Sequence, residues 1–375
     1  MEFDYNILLE DINKLIRYLI RNEKQSAMET LSDLDTYNGF LEHLSGMEIN
    51  RDRLFMNNDK LNEYLAKYFY DGVKRITDFL NTNGDDLNTL ATNINSLINP
   101  ETIVHIYNGR YLILDKSHIF NEKEFKDILL SFFSQYNDNI YKVVKKMFDE
   151  KRIKMGGKIN EGCEGYTVSS NFTKDAFIII RNYEFTIDNL VMLAHELGHV
   201  IHFYTSVLSN GEKKAFASPY SETISCSFEI AFLDYLMKNY IEPSSALLFL
   251  NDKFVRDLNS FYKYTSIKKQ DEYHLDEDGI ISSTSGDLSF IGNPVEADLN
   301  YTLGYAIALN MLLKYGDDKK EFVKKLNNLM YLMNRQSFRD NLNTLGFDCD
   351  DFLQCRTIGP YVKEKNQELI HKLIK

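Results

Sequence analysis

The chain has 375 residues, 44% of them hydrophobic, so it can bury a large core in one or two domains. Acidic residues outnumber basic ones by 55 to 43, and the formal net charge of −12 disfavours a nucleic-acid partner. The sequence has no uninterrupted apolar run long enough to predict a transmembrane helix, and its first residues lack a signal-peptide pattern. The four cysteines show no CxxC pair. We therefore expect a cytoplasmic protein with reduced thiols and no membrane partner.

The first part of the chain has a mostly helical pattern. Apolar residues three and four apart predict helices over 5–22, 25–44 and 58–80, then a turn over 81–86 and a short helix over 87–98. Residues 103–114 are predicted to be extended around Asn108-Gly109, and helices are expected over 123–134 and 137–151.

A short β-branched run over 176–180 predicts a strand, and helical periodicity resumes after it. Further helices are predicted over 188–208, 220–239, 244–263, 297–315, 318–333 and 336–345, with an irregular loop from 276 to 294. We therefore expect a mainly α-helical protein with a small β-sheet, divided into a helical lobe over 1–100 and a second domain over 101–375.

The most informative motif is His195-Glu196-Leu197-Gly198-His199, which has the pattern HExxH. Two histidines four apart lie on one face of a helix and can bind one Zn²⁺. Glu196 can then act as a general base on the water at the open side of the metal, as in zinc peptidases. The apolar residues around the motif indicate a buried helix rather than a solvated one with a chance motif.

A catalytic zinc ion needs a third protein ligand and one open position. Glu222 lies 23 residues beyond His199, at the predicted start of another helix that Ser221 could cap. Glu229 is seven residues further on, so it lies on the same helical face. We predict that Glu222 is the third ligand and that Glu229 supports a ligand imidazole.

His202 is a weaker candidate ligand. It lies on the same stripe as His195 and His199, but the first and third histidines would stand roughly 10 Å apart along one straight helix. We expect His202 to line the site or to support a ligand instead.

These segments resemble the M3 family of zinc peptidases, and most closely its oligoendopeptidase F branch. The resemblance rests on the HELGH motif at 195–199 and the SETISCSFE segment at 221–229, supported by the glycine-rich segments at 156–158 and 162–166. It extends, with decreasing clarity, from about residue 100 to the C-terminus. It implies an M3-like zincin domain with a small β-sheet beside the HExxH helix, a cleft between two lobes, and one Zn²⁺ per chain.

The resemblance also implies roles for two other segments. The segment 176–183 resembles the family's edge strand, so Ala176, Phe177, Ile178, Ile179 and Ile180 are expected to pair with an extended peptide substrate. The segment 300–309 resembles the family's tyrosine-and-glycine helix, so Tyr301, and after it Tyr305, are expected to stabilise the oxyanion.

The sequence departs from the family pattern at two places. The family has a histidine shortly before the first of these tyrosines, whereas residues 289–300 contain none. The first hundred residues do not clearly resemble the family's longer N-terminal lobe, which implies an abbreviated roof over the cleft.

The resulting expectation is an intracellular zinc endopeptidase that hydrolyses oligopeptides. Two alternatives stay open: a protease with a dedicated protein target, such as a toxin or a processing enzyme, and a catalytically silent zinc protein that binds peptides. The intact Glu196 disfavours the second alternative, since a silent site has no need of a base. The sequence does not specify the oligomeric state.

Overall fold

The structure is a computed structural model that describes residues 3–21, 37, 40, 59–97, 120–157, 164–170, 172–181, 184–210, 219–240, 273–275, 281–283, 286–288, 294–333 and 335–374. Most of these residues are helical, as the sequence predicts. The extended segment predicted over 103–114 and the helix predicted over 244–263 lie outside the described residues.

The helices are α1 (Tyr5–Arg21), α2 (Asp59–Leu97), α3 (Glu122–Ser134), α4 (Asp138–Asp149), α5 (Ile187–Asn210), α6 (Thr223–Asn239), α7 (Pro294–Tyr315), α8 (Lys319–Leu332), α9 (Phe338–Leu345), α10 (Cys349–Leu353) and α11 (Ile358–Ile374). The strands are β1 (Ile153–Met155), β2 (Gly165–Ser170), β3 (Asp175–Ile180), β4 (Tyr273–Leu275), β5 (Ile281–Ser283) and β6 (Gly286–Leu288). Within the described residues, none of the helices has the length and apolar character that crossing a membrane requires.

Two predicted connections differ from the structure. The turn predicted over 81–86 is part of α2, which is interrupted only at Asn83, where φ is −118° and ψ is 16°. The Asn83 amide donates to the carbonyl oxygen of Phe79 at 2.9 Å, so the side chain supports the helix at its irregular residue. The loop predicted over 276–294 contains β5 and β6, which form an antiparallel sheet with β4 in the order β4-β5-β6.

The chain divides into two compact units that differ from the predicted division at residue 100. The first unit comprises residues 1–68 and 118–215, and the second comprises residues 69–117 and 216–375. Each unit therefore contains two separate stretches of the chain.

The first unit is built around a three-stranded sheet in the order β1-β3-β2. β3 pairs in parallel with β1 and antiparallel with β2. One face of the sheet packs against α1 through a cluster that includes Leu8, Ile12, Val168, Phe177 and Ile179. The alternate residues face the other way, where α5 packs against β2 and β3, so the sheet lies beside the HExxH helix as predicted.

The prediction that 176–180 is a substrate-binding edge strand is wrong. β3 is the central strand, and Ile178, Ile179 and Ile180 pair with β1 on one side and β2 on the other. Every residue of β3 is buried. A continuous apolar run is typical of a strand covered on both faces, and here it marks the middle of the sheet.

A network of charged side chains joins β3 to its neighbours. Asp175, at the start of β3, accepts from the Lys146 ammonium at 2.8 Å and lies 3.1 Å from the buried Arg152 guanidinium. Lys146 also donates to the Tyr204 hydroxyl of α5 at 3.0 Å. Burial raises the pKa of Tyr204, so its phenol stays protonated at neutral pH. The network ties α4, β3 and α5 together.

We expect Asp175→Asn to lower the free energy of unfolding by about 2 kcal/mol, because it removes one of the two carboxylates that pair with the buried Arg152 and leaves the half-exposed Glu150 as the other. Urea unfolding at neutral pH measures the change. Asp149→Asn is the matched control, since this carboxylate is half exposed and its lysine partners are solvated. An equal loss in both variants would contradict a special role for Asp175.

The second unit is organised by α6 and α7, which pack closely against each other. Both helices are apolar almost all round, as expected for helices at the centre of a core. A Cβ atom at Gly304 of α7 would lie 2.9 Å from the Cys226 sulfur and 3.2 Å from the Glu222 carbonyl oxygen, so this close approach depends on the glycine.

Candidate metal centre and active site

The HExxH helix lies in the first unit. Its start is set by Thr186, whose carbonyl oxygen accepts from the Leu190 amide at 3.0 Å. The helix then continues through the motif to Asn210, close to the predicted bounds of 188–208. The rings of His195 and His199 lie with their centroids 4.9 Å apart, on the same helical face. The first unit therefore presents two imidazoles together, the pair that zinc peptidases use as ligands.

Glu196 lies beside this histidine pair and is held by β2. The Thr167 hydroxyl donates to Glu196 Oε2 at 2.5 Å, and a Cβ atom at Gly165 would lie only 2.5 Å from Glu196 Oε1. Glu196 is 5% exposed. Sequence reasoning missed Thr167, because no local pattern links it to a residue 29 positions away.

Glu222 lies in the second unit, immediately before α6. It is the N-cap residue in place of the predicted Ser221, and its carbonyl oxygen accepts from the Cys226 amide at 2.9 Å. The Ser225 hydroxyl donates to Glu222 Oε2 at 2.9 Å, which fixes the carboxylate at the helix start. The three-residue spacing of Glu222 and Ser225 is the sequence signal for this contact, because residues three apart are neighbours on a helix.

The second unit also joins two residues that were predicted to have separate roles. The buried Tyr305 hydroxyl donates to Glu229 Oε2 at 2.9 Å. Tyr305 therefore supports the buried carboxylate of Glu229 in this structure, and its expected role as an oxyanion donor stays a prediction. The Tyr301 ring stacks on that of Tyr305 at 6.2 Å, and this residue is half-buried, so Tyr301 is the tyrosine retained as a candidate donor.

His202 is the remaining predicted site residue on the HExxH helix. His202 is buried on α5, and its expected supporting role stays a prediction. The structure thus brings His195, Glu196 and His199 together in one unit and, in the other, Glu222 with Ser225 and Glu229 with Tyr305.

Comparison with known proteins shows a partial match in sequence. No model of a protein family matches the chain. The chain is 26% identical over 141 residues to an oligoendopeptidase F homolog of Mycoplasma genitalium. The matched stretch is 38% of this chain and 23% of the relative, so it spans about a quarter of the relative's length.

Two solved structures are also similar. A proposed peptidase of Chlamydophila abortus matches 96% of this chain and 63% of its own, with 13% identity and a TM-score of 0.48. A proposed oligoendopeptidase F of Bacillus anthracis str. Ames matches 96% of this chain and 69% of its own, with 13% identity and a TM-score of 0.49. In sequence, the chain resembles the oligoendopeptidase F branch of the M3 peptidases, as its motifs predict.

Proposed function

We propose that the protein is a zinc-dependent endopeptidase that hydrolyses oligopeptides. The observation that carries this proposal is the buried Glu196 carboxylate, which accepts a hydrogen bond from Thr167 and lies next to two histidines on one helical face. A buried carboxylate needs a compensating partner or a function, and this one belongs to an HExxH motif. The sequence similarity to an oligoendopeptidase F homolog points to the same activity.

We assign His195, His199 and Glu222 as the ligands of one Zn²⁺ per chain. Two imidazole nitrogens and one carboxylate oxygen are a donor set that catalytic zinc uses with an open fourth position. The facing imidazoles and the Ser225 hydroxyl on the Glu222 carboxylate fit that assignment, since metal ligands are usually oriented by hydrogen bonds. When bound, zinc would polarise the scissile carbonyl and lower the pKa of a bound water.

The chain's own residues perform the proton transfers and the positioning. Glu196 takes a proton from the attacking water and delivers it to the leaving amine, which is the work of a general base and then a general acid. Tyr301 donates a hydrogen bond to the oxyanion that forms on the substrate carbonyl. Glu229, with Tyr305 on its carboxylate, supports a ligand imidazole.

The substrate segment also needs a place to bind. Because β3 is central, we assign the pairing with an extended peptide to β2, one of the two end strands of the β1-β3-β2 order among the described residues. β2 is also the strand that contacts the base, through Gly165 and Thr167. Pairing along one strand uses the peptide backbone and selects extended chains over folded ones.

Incubation with a ladder of unstructured peptides and one stable folded protein, analysed by mass spectrometry, tests the function. We expect cleavage of peptides of roughly 6–20 residues and little cleavage of the folded protein. A chelator should abolish cleavage, and added zinc should restore it. Efficient cutting of the folded protein at an ordered site would favour a dedicated protease instead. Peptide binding without any cleavage would favour the silent binding protein.

A further inference from the structure

We propose that Thr167 and Gly165 of β2 are positioning residues that hold the Glu196 carboxylate in one orientation for proton transfer. This inference rests on the proposed peptidase function, because it assigns to these residues a role in the reaction of Glu196. It concerns contacts within the first unit alone.

The Thr167 contact fixes one oxygen of the carboxylate. Its hydroxyl lies 2.5 Å from Glu196 Oε2, the separation expected when a hydroxyl donates to an ionised carboxylate. The same hydroxyl lies 3.4 Å from the Glu196 carbonyl oxygen, so Thr167 spans the side chain and the backbone of the same residue. The second oxygen, Oε1, lies against Gly165.

Gly165 leaves room for that second oxygen. A Cβ atom there would lie 2.5 Å from Oε1 and 2.8 Å from Cγ of Glu196, closer than real contacts allow. Among the described residues the glycines with positive φ are Gly156 and Gly346, so the backbone conformation of Gly165 does not require glycine. Its absent side chain is explained by the space that the carboxylate occupies.

A fixed orientation of the Glu196 carboxylate affects the rate of the chemical step more than the affinity for substrate. A general base must meet the attacking water at hydrogen-bond distance, and a misplacement of about 1 Å can cost about 100-fold in rate. A carboxylate fixed at one oxygen by Thr167 and bounded by Gly165 loses its alternative rotamers before the substrate arrives. The two β2 residues thus prepare the base for the reaction.

Thr167→Val tests the inference, because valine keeps the shape of threonine and removes the hydroxyl. We expect kcat to fall about 10- to 100-fold while KM, zinc content and the thermal midpoint stay close to the parent. Thr167→Ser should restore most of the rate. Gly165→Ala should also lower kcat, since its methyl group displaces the carboxylate.

Two controls separate positioning from general damage. Thr173→Val makes the same change at a nearby hydroxyl for which the described structure gives no hydrogen-bond partner, and it should keep the parental kcat. In a Glu196→Gln background, Thr167→Val should cause no further loss, because the base that it orients is gone.

The outcomes distinguish this inference from the proposed function. An unchanged kcat in Thr167→Val, a loss confined to KM, no rescue by serine, or an equal loss in Thr173→Val would each overturn the positioning role and leave the peptidase proposal standing. A zinc-loaded parent protein that cleaves no peptide would overturn the proposed function, and this inference with it.

Discussion

Glu196→Gln is expected to lower peptide cleavage by a factor on the order of 100 or more while the protein keeps its zinc. Glutamine has nearly the same size as glutamate and still accepts the hydrogen bond from Thr167, so the local packing is preserved. It cannot take a proton from water at neutral pH. The change therefore removes the base and leaves the proposed ligands His195 and His199 in place.

Steady-state kinetics with a fluorogenic peptide, together with elemental analysis, measure both parts of this expectation. Glu184→Gln is the matched control, because Glu184 is exposed and lies before the start of α5. It should keep the parental rate. If Glu196→Gln cleaves peptides at near the parental rate, another residue activates the water and the proposed mechanism is wrong. Loss of zinc in this variant would place Glu196 among the ligands.

The helices around the site were predictable because their signals are local. The apolar residues on all sides of the HExxH motif predict a buried helix, and the structure gives α5 within a few residues of the predicted bounds. The position of Glu222 at the start of α6 was also predicted, although the cap is Glu222 and not Ser221. Caps and periodicity depend on neighbours within one or two turns, which the sequence shows directly.

The order of the strands and the partners of the side chains are harder to predict from the sequence. The run at 176–180 identifies a strand, but its central position depends on β1 and β2, which are separate segments with their own pairing. The Tyr305–Glu229 contact spans 76 residues, and the Thr167–Glu196 contact spans 29. Such contacts follow from how elements pack. A single sequence shows which residues can make them and leaves the actual partner open.

The α2 irregularity shows the same limit on a smaller scale. Asn83-Gly84 is a strong local turn signal, yet the helix resumes after one non-helical residue. Leu80, Leu87 and Leu90 are buried on either side of it, so packing of the whole helix outweighs the local preference for a turn. When turn residues occur inside a segment with helical apolar periodicity, they therefore predict a local interruption of the helix rather than its end.

His199→Ala is expected to lose most of the bound zinc, because it removes one of three proposed ligands and leaves a cavity where the imidazole stood. Changes at residues that only orient a ligand typically lower metal affinity about 10- to 100-fold. We expect a loss in this range for Ser225→Ala, which removes the hydroxyl that donates to Glu222, and a larger loss for His199→Ala. Elemental analysis of purified protein and competition with a chromogenic chelator measure both variants.

His202→Gln separates a ligand from a neighbouring histidine on the same helix. His202 is buried on α5 three residues beyond His199, yet we do not assign it to the metal, so this variant should keep about one zinc per chain. Circular dichroism of each variant checks that the helices are intact. Full zinc retention in His199→Ala, or complete zinc loss in His202→Gln, would contradict the ligand assignment. If His195, His199 and Glu222 are the ligands and the Ser225 hydroxyl orients Glu222, the three variants should lose zinc to different degrees. The loss should be severe for His199→Ala, moderate for Ser225→Ala and small for His202→Gln.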